Sequence, residues 1–244
     1  MLIETALFLG TVAVSAPTVL WRRERGCRQR QELEYNFRIA QSLGHAATLR
    51  DRETGAHNLR VAYMASLFGQ AWGLDRLALR GLMKGAFLHD VGKIGISDTL
   101  LLKQGPLDAA EQAVMQQHPV LGQSLLAGMP WFADAVPVVL HHHEKFDGTG
   151  YPHGLLGEQI PLAARLFTVV DVLDALLSER PYKLPMTLPG GLAVIERGTG
   201  SHFDPEVVRQ FVEFAPGVFE PLHGLSDTAL AQRLEQRRNQ VFGI

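Results

Sequence analysis

The sequence is short of most features that assign a chain quickly. It has one cysteine, Cys27, so no disulfide framework can form, and a thiolate-bound zinc ribbon or iron–sulfur cluster is excluded. It lacks an excess of charge of either sign. A formal net charge of −2 over 244 residues gives no reason to expect binding to a nucleic-acid polymer. Runs of alternating β-branched residues are nearly absent, which argues against a sheet. No internal repeat or low-complexity tract stands out. Long uncharged runs are scarce too. Thr5–Trp21 is the notable one, and it is at the short end of the roughly twenty residues that cross a bilayer.

The rest is ordinary for a chain that buries a core: 46% of residues are hydrophobic and 20% charged. Arg22, Arg23 and Arg25 directly follow the uncharged run. By the positive-inside rule they leave the remainder of the chain in the cytoplasm. Residues 5–21 are therefore expected to serve as a membrane anchor, and 1–21 as an N-terminal hydrophobic helix. Met1–Glu4 carries no Lys or Arg, which disfavours a cleaved signal peptide.

Residues 22–44 read as a linker helix, with Leu33, Phe37, Ala40 and Leu43 at helical spacing. A homodimer seam there is an expectation, although the segment is short for a coiled coil. From residue 45 onward, apolar helical stretches alternate with Gly and Pro. Helices are predicted over Leu59–Trp72, Leu77–Leu88, Asp108–Met115, Val136–His143 and Leu162–Leu177. The last is nearly all apolar and so central. Asp108, with Glu111 three residues on, fits a capping box. The reading is an all-α main domain over 45–215 and a helical C-terminal extension over 216–244.

Metal-ligand residue types recur through these helices. Glu53 and His57 are four apart, on one helical face. His89–Asp90 closes an apolar run, and Asp90 has two oxygens with which to bridge two ions. His118 precedes Pro119, which is expected to hold it away from helical geometry. His141–His142–His143 follows Val138–Leu140, and not all three rings can face one ion. Asp171 lies inside Leu166–Leu177, where an ionised carboxylate costs several kcal/mol unless it is paired or bound to a cation. Asp174 is placed to orient a ligand from behind or to pair with a basic side chain there. Imidazoles with carboxylates suit iron, manganese, zinc or nickel. Asp147–Pro152, with Gly150 and Tyr151, reads as a substrate loop. Lys93, Arg180 and Lys183 read as phosphate-neutralising cations.

Together these segments resemble the HD-GYP family of the HD metal-dependent phosphohydrolase superfamily. The segments are Arg50–His57, Leu88–Gly95, His118–Pro119, His142–Pro152, Ile160–Arg165, Asp171–Leu176, Arg180–Lys183 and His202–Pro205, in order over roughly residues 45–210. The resemblance implies an HD-domain-like helical bundle and bacterial signalling. It implies hydrolysis of cyclic di-GMP to pGpG, and to GMP after a second cut, at a di- or trinuclear iron or manganese centre. His57, His89, Asp90, His118, His142, His143 and Asp171 would be ligands, Asp90 bridging, with Glu53 helping to hold a third ion. Asp90 and Lys93 would carry catalysis. Lys93, Asp147, Gly150, Tyr151, Arg180 and Lys183 would meet the substrate. The anchor would then sit in the inner membrane, and a diguanylate cyclase or other signalling protein is an expected partner. Alternatives are a hydrolase of another nucleotide, or a cyclic di-GMP-binding adaptor with little turnover. Two departures from the family pattern, Ser97 and Gln104 where Pro is usual, loosen a loop but remove no ligand.

Overall fold

A computed structural model describes residues 16–50, 54–179, 184–222 and 224–244. Among them the regular structure is helical, with only isolated bridges such as Asp147 with Leu156 and no strand, which confirms the all-α expectation. The helices are α1 (Ala16–Arg50), α2 (Thr54–Trp72), α3 (Arg76–Leu88), α4 (Asp98–Leu101), α5 (Ala109–Met115), α6 (His118–Leu126), α7 (Val136–His141), α8 (Leu162–Leu177), α9 (Leu188–Arg197), α10 (Pro205–Leu222) and α11 (Asp227–Phe242). Met1–Arg38 and Ile39–Ile244 are separate compact units, and all that follows concerns the second. Most of the expected anchor at residues 5–21 lies outside the described residues. Among the described ones, no helix is long and apolar enough to cross a membrane.

Helix α8 is the axis of the core. Leu166, Phe167, Val169, Val170 and Leu173 are all fully buried, as its nearly unbroken apolar sequence requires. Helices α2, α3, α7, α9 and α10 pack around it, and α11 closes over α2 and α3. Helix α10 runs through residues 215 and 216 without a break. Phe219, Leu222 and Leu230 share one hydrophobic cluster with Val61, Phe68 and Leu173. A smaller cluster joins Ala40 to Leu88, Val91, Phe132 and Val139.

Local signals set the helix ends. Asp75 caps α3 by accepting from Ala78 N. Asp108 and Glu111 form the expected capping box at α5. The His118 expectation needs correction, because His118 is the first residue of α6 and Pro119 follows inside the first turn. There the missing N–H of proline costs nothing, since the first turn has no intrahelical acceptor for it.

After α3 the chain tightens into a 3-10 turn, Val91–Gly95. This turn packs on α6 so closely that a Cβ on Gly92 would fall onto the His118 carbonyl oxygen and the Gly122 backbone nitrogen. Only glycine permits that approach. It brings the end of α3, with His89 and Asp90, against the start of α6.

Candidate metal centre

The predicted ligands on described residues converge, and they do so as two clusters. One is Asp90, His118, His142 and His143; the other is His57, His89 and Asp171. Asp90 faces both. Its Oδ1 lies 3.3 Å from His118 Nε2, and its Oδ2 lies 3.2 Å from His89 Nε2. Asp171 Oδ1 is 3.1 Å from His57 Nε2 and 3.9 Å from His89 Nε2. His118 Nε2 and His142 Nε2 stand 3.3 Å apart, pointed at one spot.

The rings face inward because each is pinned through its other nitrogen. His89 Nδ1 donates to Ala86 O at 2.9 Å and His118 Nδ1 to Met115 O at 2.9 Å. His142 Nδ1 donates to Val139 O at 3.0 Å. Each of these carbonyls belongs to the last turn of a helix, where no N–H further along completes the ladder. His57 Nδ1 instead meets Asp174 Oδ2 at 2.7 Å, so Asp174 holds this ring from behind. Every one of these four residues is buried. Converging Nε2 atoms, each ring fixed by a partner on Nδ1, are the arrangement that a metal-ligating histidine requires. The donor set therefore fits divalent ions that accept nitrogen and oxygen.

Charge in the site is balanced internally. Burial alone would raise the Asp90 carboxyl, but Lys93 and then His89 hold it well below the usual carboxylate range. Asp171 is likewise held low against burial, chiefly by its hydrogen bond with His57. His57 responds in the opposite sense. Burial disfavours its cation, yet hydrogen bonds to Asp171 and Asp174 raise its pKa to about 10. Burial pushes His142 well down, with His143 adding to the effect, and pushes His143 down to about 4, so both rings are neutral near pH 7.

Other predicted residues fall around this centre. Lys93 Nζ is 2.9 Å from Asp90 Oδ2. The Tyr151 ring stacks on His143, with centroids 4.7 Å apart, and stands 6.5 Å from His118. Asp147 Oδ1 accepts from Thr149 N and Oγ1, so it shapes its own loop. A Cβ on Gly150 would strike the Glu144 Cα at 2.5 Å, so this glycine is where the loop folds back onto the end of α7. His141 enters neither cluster and leaves the third ring of its run unaccounted for. Helix α7 ends at His141 rather than His143, and His142 is its C-cap. Glu53, Arg180 and Lys183 lie outside the described residues.

Two contributors are absent from the sequence-based list. Arg60, one turn after His57, donates from Nε to Asp174 Oδ1 at 2.7 Å and from Nη2 to Asp174 Oδ2 at 2.8 Å. Thr168 Oγ1 donates toward the carbonyls of Ala164, at 2.9 Å, and His142, at 3.1 Å, tying α8 to the end of α7. The His57–Arg60 spacing on one face was the available signal for Arg60. Thr168 had none, because a threonine in an apolar helix most often bonds within its own turn.

The family described as "HD domain" matches residues 41–207. A cyclic di-GMP phosphodiesterase response regulator, RpfG of Xanthomonas campestris pv. campestris, is 44% identical over 168 residues. The match covers 68% of this chain and 44% of that protein. A 3'3'-cGAMP-specific phosphodiesterase 2 of Vibrio cholerae is 38% identical over 185 residues, covering 75% of this chain and 34% of that one. The chain thus spans less than half the length of these relatives. The crystal structure of a cyclic GMP-AMP-specific phosphodiesterase of V. cholerae superposes with a TM-score of 0.64 at 19% identity. It covers 83% of this chain and 54% of that one, and it supports the fold alone.

Proposed function

The chain belongs to the HD domain family, and from that premise we propose that it is a metal-dependent phosphodiesterase. Its substrate is cyclic di-GMP, opened to pGpG and then cut to GMP, which lowers a bacterial second messenger. The observation that carries this reading is Asp90, whose two oxygens are divided between the two ligand clusters. The 44% identity to a cyclic di-GMP phosphodiesterase supports the choice of substrate.

His57, His89, Asp90, His118, His142, His143 and Asp171 hold iron or manganese, with Glu53 reserved for a third ion. Bound ions supply Lewis acidity and activation of water. The protein supplies the rest. Asp174 and the helix-end carbonyls hold four rings in one tautomer. Lys93, beside Asp90, carries positive charge to where a phosphodiester must approach. Tyr151 and the Asp147–Gly150 turn line the approach, and Arg180 and Lys183 contact the phosphates. The uncharged run Thr5–Trp21 ahead of Arg22, Arg23 and Arg25 supports anchoring of this activity at the inner membrane. A diguanylate cyclase or another signalling protein is the proposed partner.

The test is anaerobic. Protein supplied with iron or manganese is given cyclic di-GMP, and nucleotides are followed by chromatography while metal is counted per chain. Formation of pGpG or GMP, lost in Asp90→Ala together with metal, is expected. A fully metallated protein that leaves cyclic di-GMP intact overturns the reading. The 38% identity to a 3'3'-cGAMP-specific enzyme favours a second reading, in which another cyclic dinucleotide is cut. Assay of cyclic GMP-AMP beside cyclic di-GMP separates the two.

A further inference from the structure

We propose that His141, Glu144 and His153 form an additional metal site, apart from the Asp90 centre, that takes one zinc ion. One donor atom from each of these residues lies within 4.8 Å of the other two. His141 Nδ1 is 3.7 Å from Glu144 Oε1, and the His141 and His153 rings stand 5.4 Å apart.

A separate observation points to a ligand. His141 Nδ1 is a buried nitrogen with no hydrogen-bond partner. Nearly all buried polar atoms in folded proteins have one, and an exception calls for a missing ion or water. Glu144 is buried as well, at 2% exposure. Its Oε1 accepts from His153 N at 2.8 Å and its Oε2 from Leu155 N at 3.0 Å. Each carboxylate oxygen has a second lone pair, so these bonds fix the carboxylate without exhausting it.

Two imidazoles and one carboxylate are a familiar donor set for zinc, with a fourth position left to water. Donors on a tetrahedral zinc with bonds of about 2.0–2.1 Å are about 3.3 Å apart. His141 and Glu144 are near that spacing already. His153 is exposed, so it is free to close the remaining distance, and its side of the site gives the ion a way in.

The ion would join the end of α7 to the far arm of the loop that carries Tyr151. Glu144 stands before that loop and His153 just after it, and backbone hydrogen bonds already draw the two ends together. Zinc at this point holds the loop closed without touching the ligands of the Asp90 centre. The proposal does not depend on which nucleotide the protein cuts.

The test uses the full chain carrying the ions of its Asp90 centre. Zinc per chain is counted at buffered free zinc for wild type, His153→Ala and Asp90→Ala. Wild type should hold one more zinc than His153→Ala, at equal iron or manganese content. Asp90→Ala, depleted at the main centre, should keep that zinc. Amide exchange at His153 and Leu155 should slow on zinc addition in wild type and not in His153→Ala. Equal zinc in wild type and His153→Ala overturns the site, whatever the nucleotide assay gives.

Discussion

His57 Nδ1 and Asp174 Oδ2 are 2.7 Å apart, and this contact leaves Nε2 as the nitrogen that faces Asp171. Arg60 donates to both oxygens of the same carboxylate. Asp174→Ala removes the partner that fixes the ring. Second-layer losses of this kind cost about 10–100-fold in metal affinity. Metal retained against a graded chelator measures it, and retention equal to wild type would refute the role.

Asp90→Asn keeps the shape of the side chain but removes its charge and one acceptor oxygen. Both clusters lose their common ligand. Because bound ions stabilise the transition state by several kcal/mol, kcat is expected to fall about a thousandfold or more. Steady-state kinetics with metal counted per chain decides this. Activity within tenfold of wild type would remove Asp90 from the bridge.

Gly92→Ala tests the approach of the 3-10 turn to α6. The added methyl falls on backbone atoms, which cannot swing aside as a side chain can. Overpacking of this kind costs about 1–3 kcal/mol, and more where the neighbour is rigid. That corresponds to a fall in Tm of about 2–12 °C for a domain of this size. A thermal melt of the metal-free protein isolates the effect, and an unchanged Tm contradicts it.

Metal binding should release protons unequally from the two clusters. His142 and His143 are pushed down, so they are neutral near pH 7 and give up nothing. His57 is pushed up to about 10, so at pH 7 it is protonated and must lose that proton to ligate. Affinity at the His57 cluster should therefore rise with pH, about tenfold per unit between pH 7 and 9, because each unit weakens competition from the proton tenfold. About one proton should appear in solution for each ion bound there. Dye-monitored metal titration reads both quantities, and an affinity flat with pH contradicts the assignment.

Much of this centre was legible because its ligands carry a cost. Asp171 amid Leu166–Leu177 could not be explained by packing, and α8 spans the predicted residues. The capping box at Asp108 was equally plain. His118 was misread because a preceding-proline rule for isolated residues ignores the first helical turn, where proline is at home. A centre of more than one ion with Asp90 shared was legible, but which histidines fall in which cluster was not. That division depends on the backbone contact between Gly92 and His118, and a sequence shows no distances across the fold. His141 and His153 stayed unconnected for the same reason. Twelve positions separate them, and the turn at Gly150 with the bonds from His153 N and Leu155 N to Glu144 brings them together.

Three of the pinned imidazoles take their hold from Ala86, Met115 and Val139, which are the closing turns of α3, α5 and α7. Helix ends are the first places to fray. The orientation of these three rings thus depends on how the closing turn of each helix is held. Loosening of any one of these turns would free its ring to rotate. An ion bound by these rings would in turn tie together the ends of three helices that are far apart in the sequence.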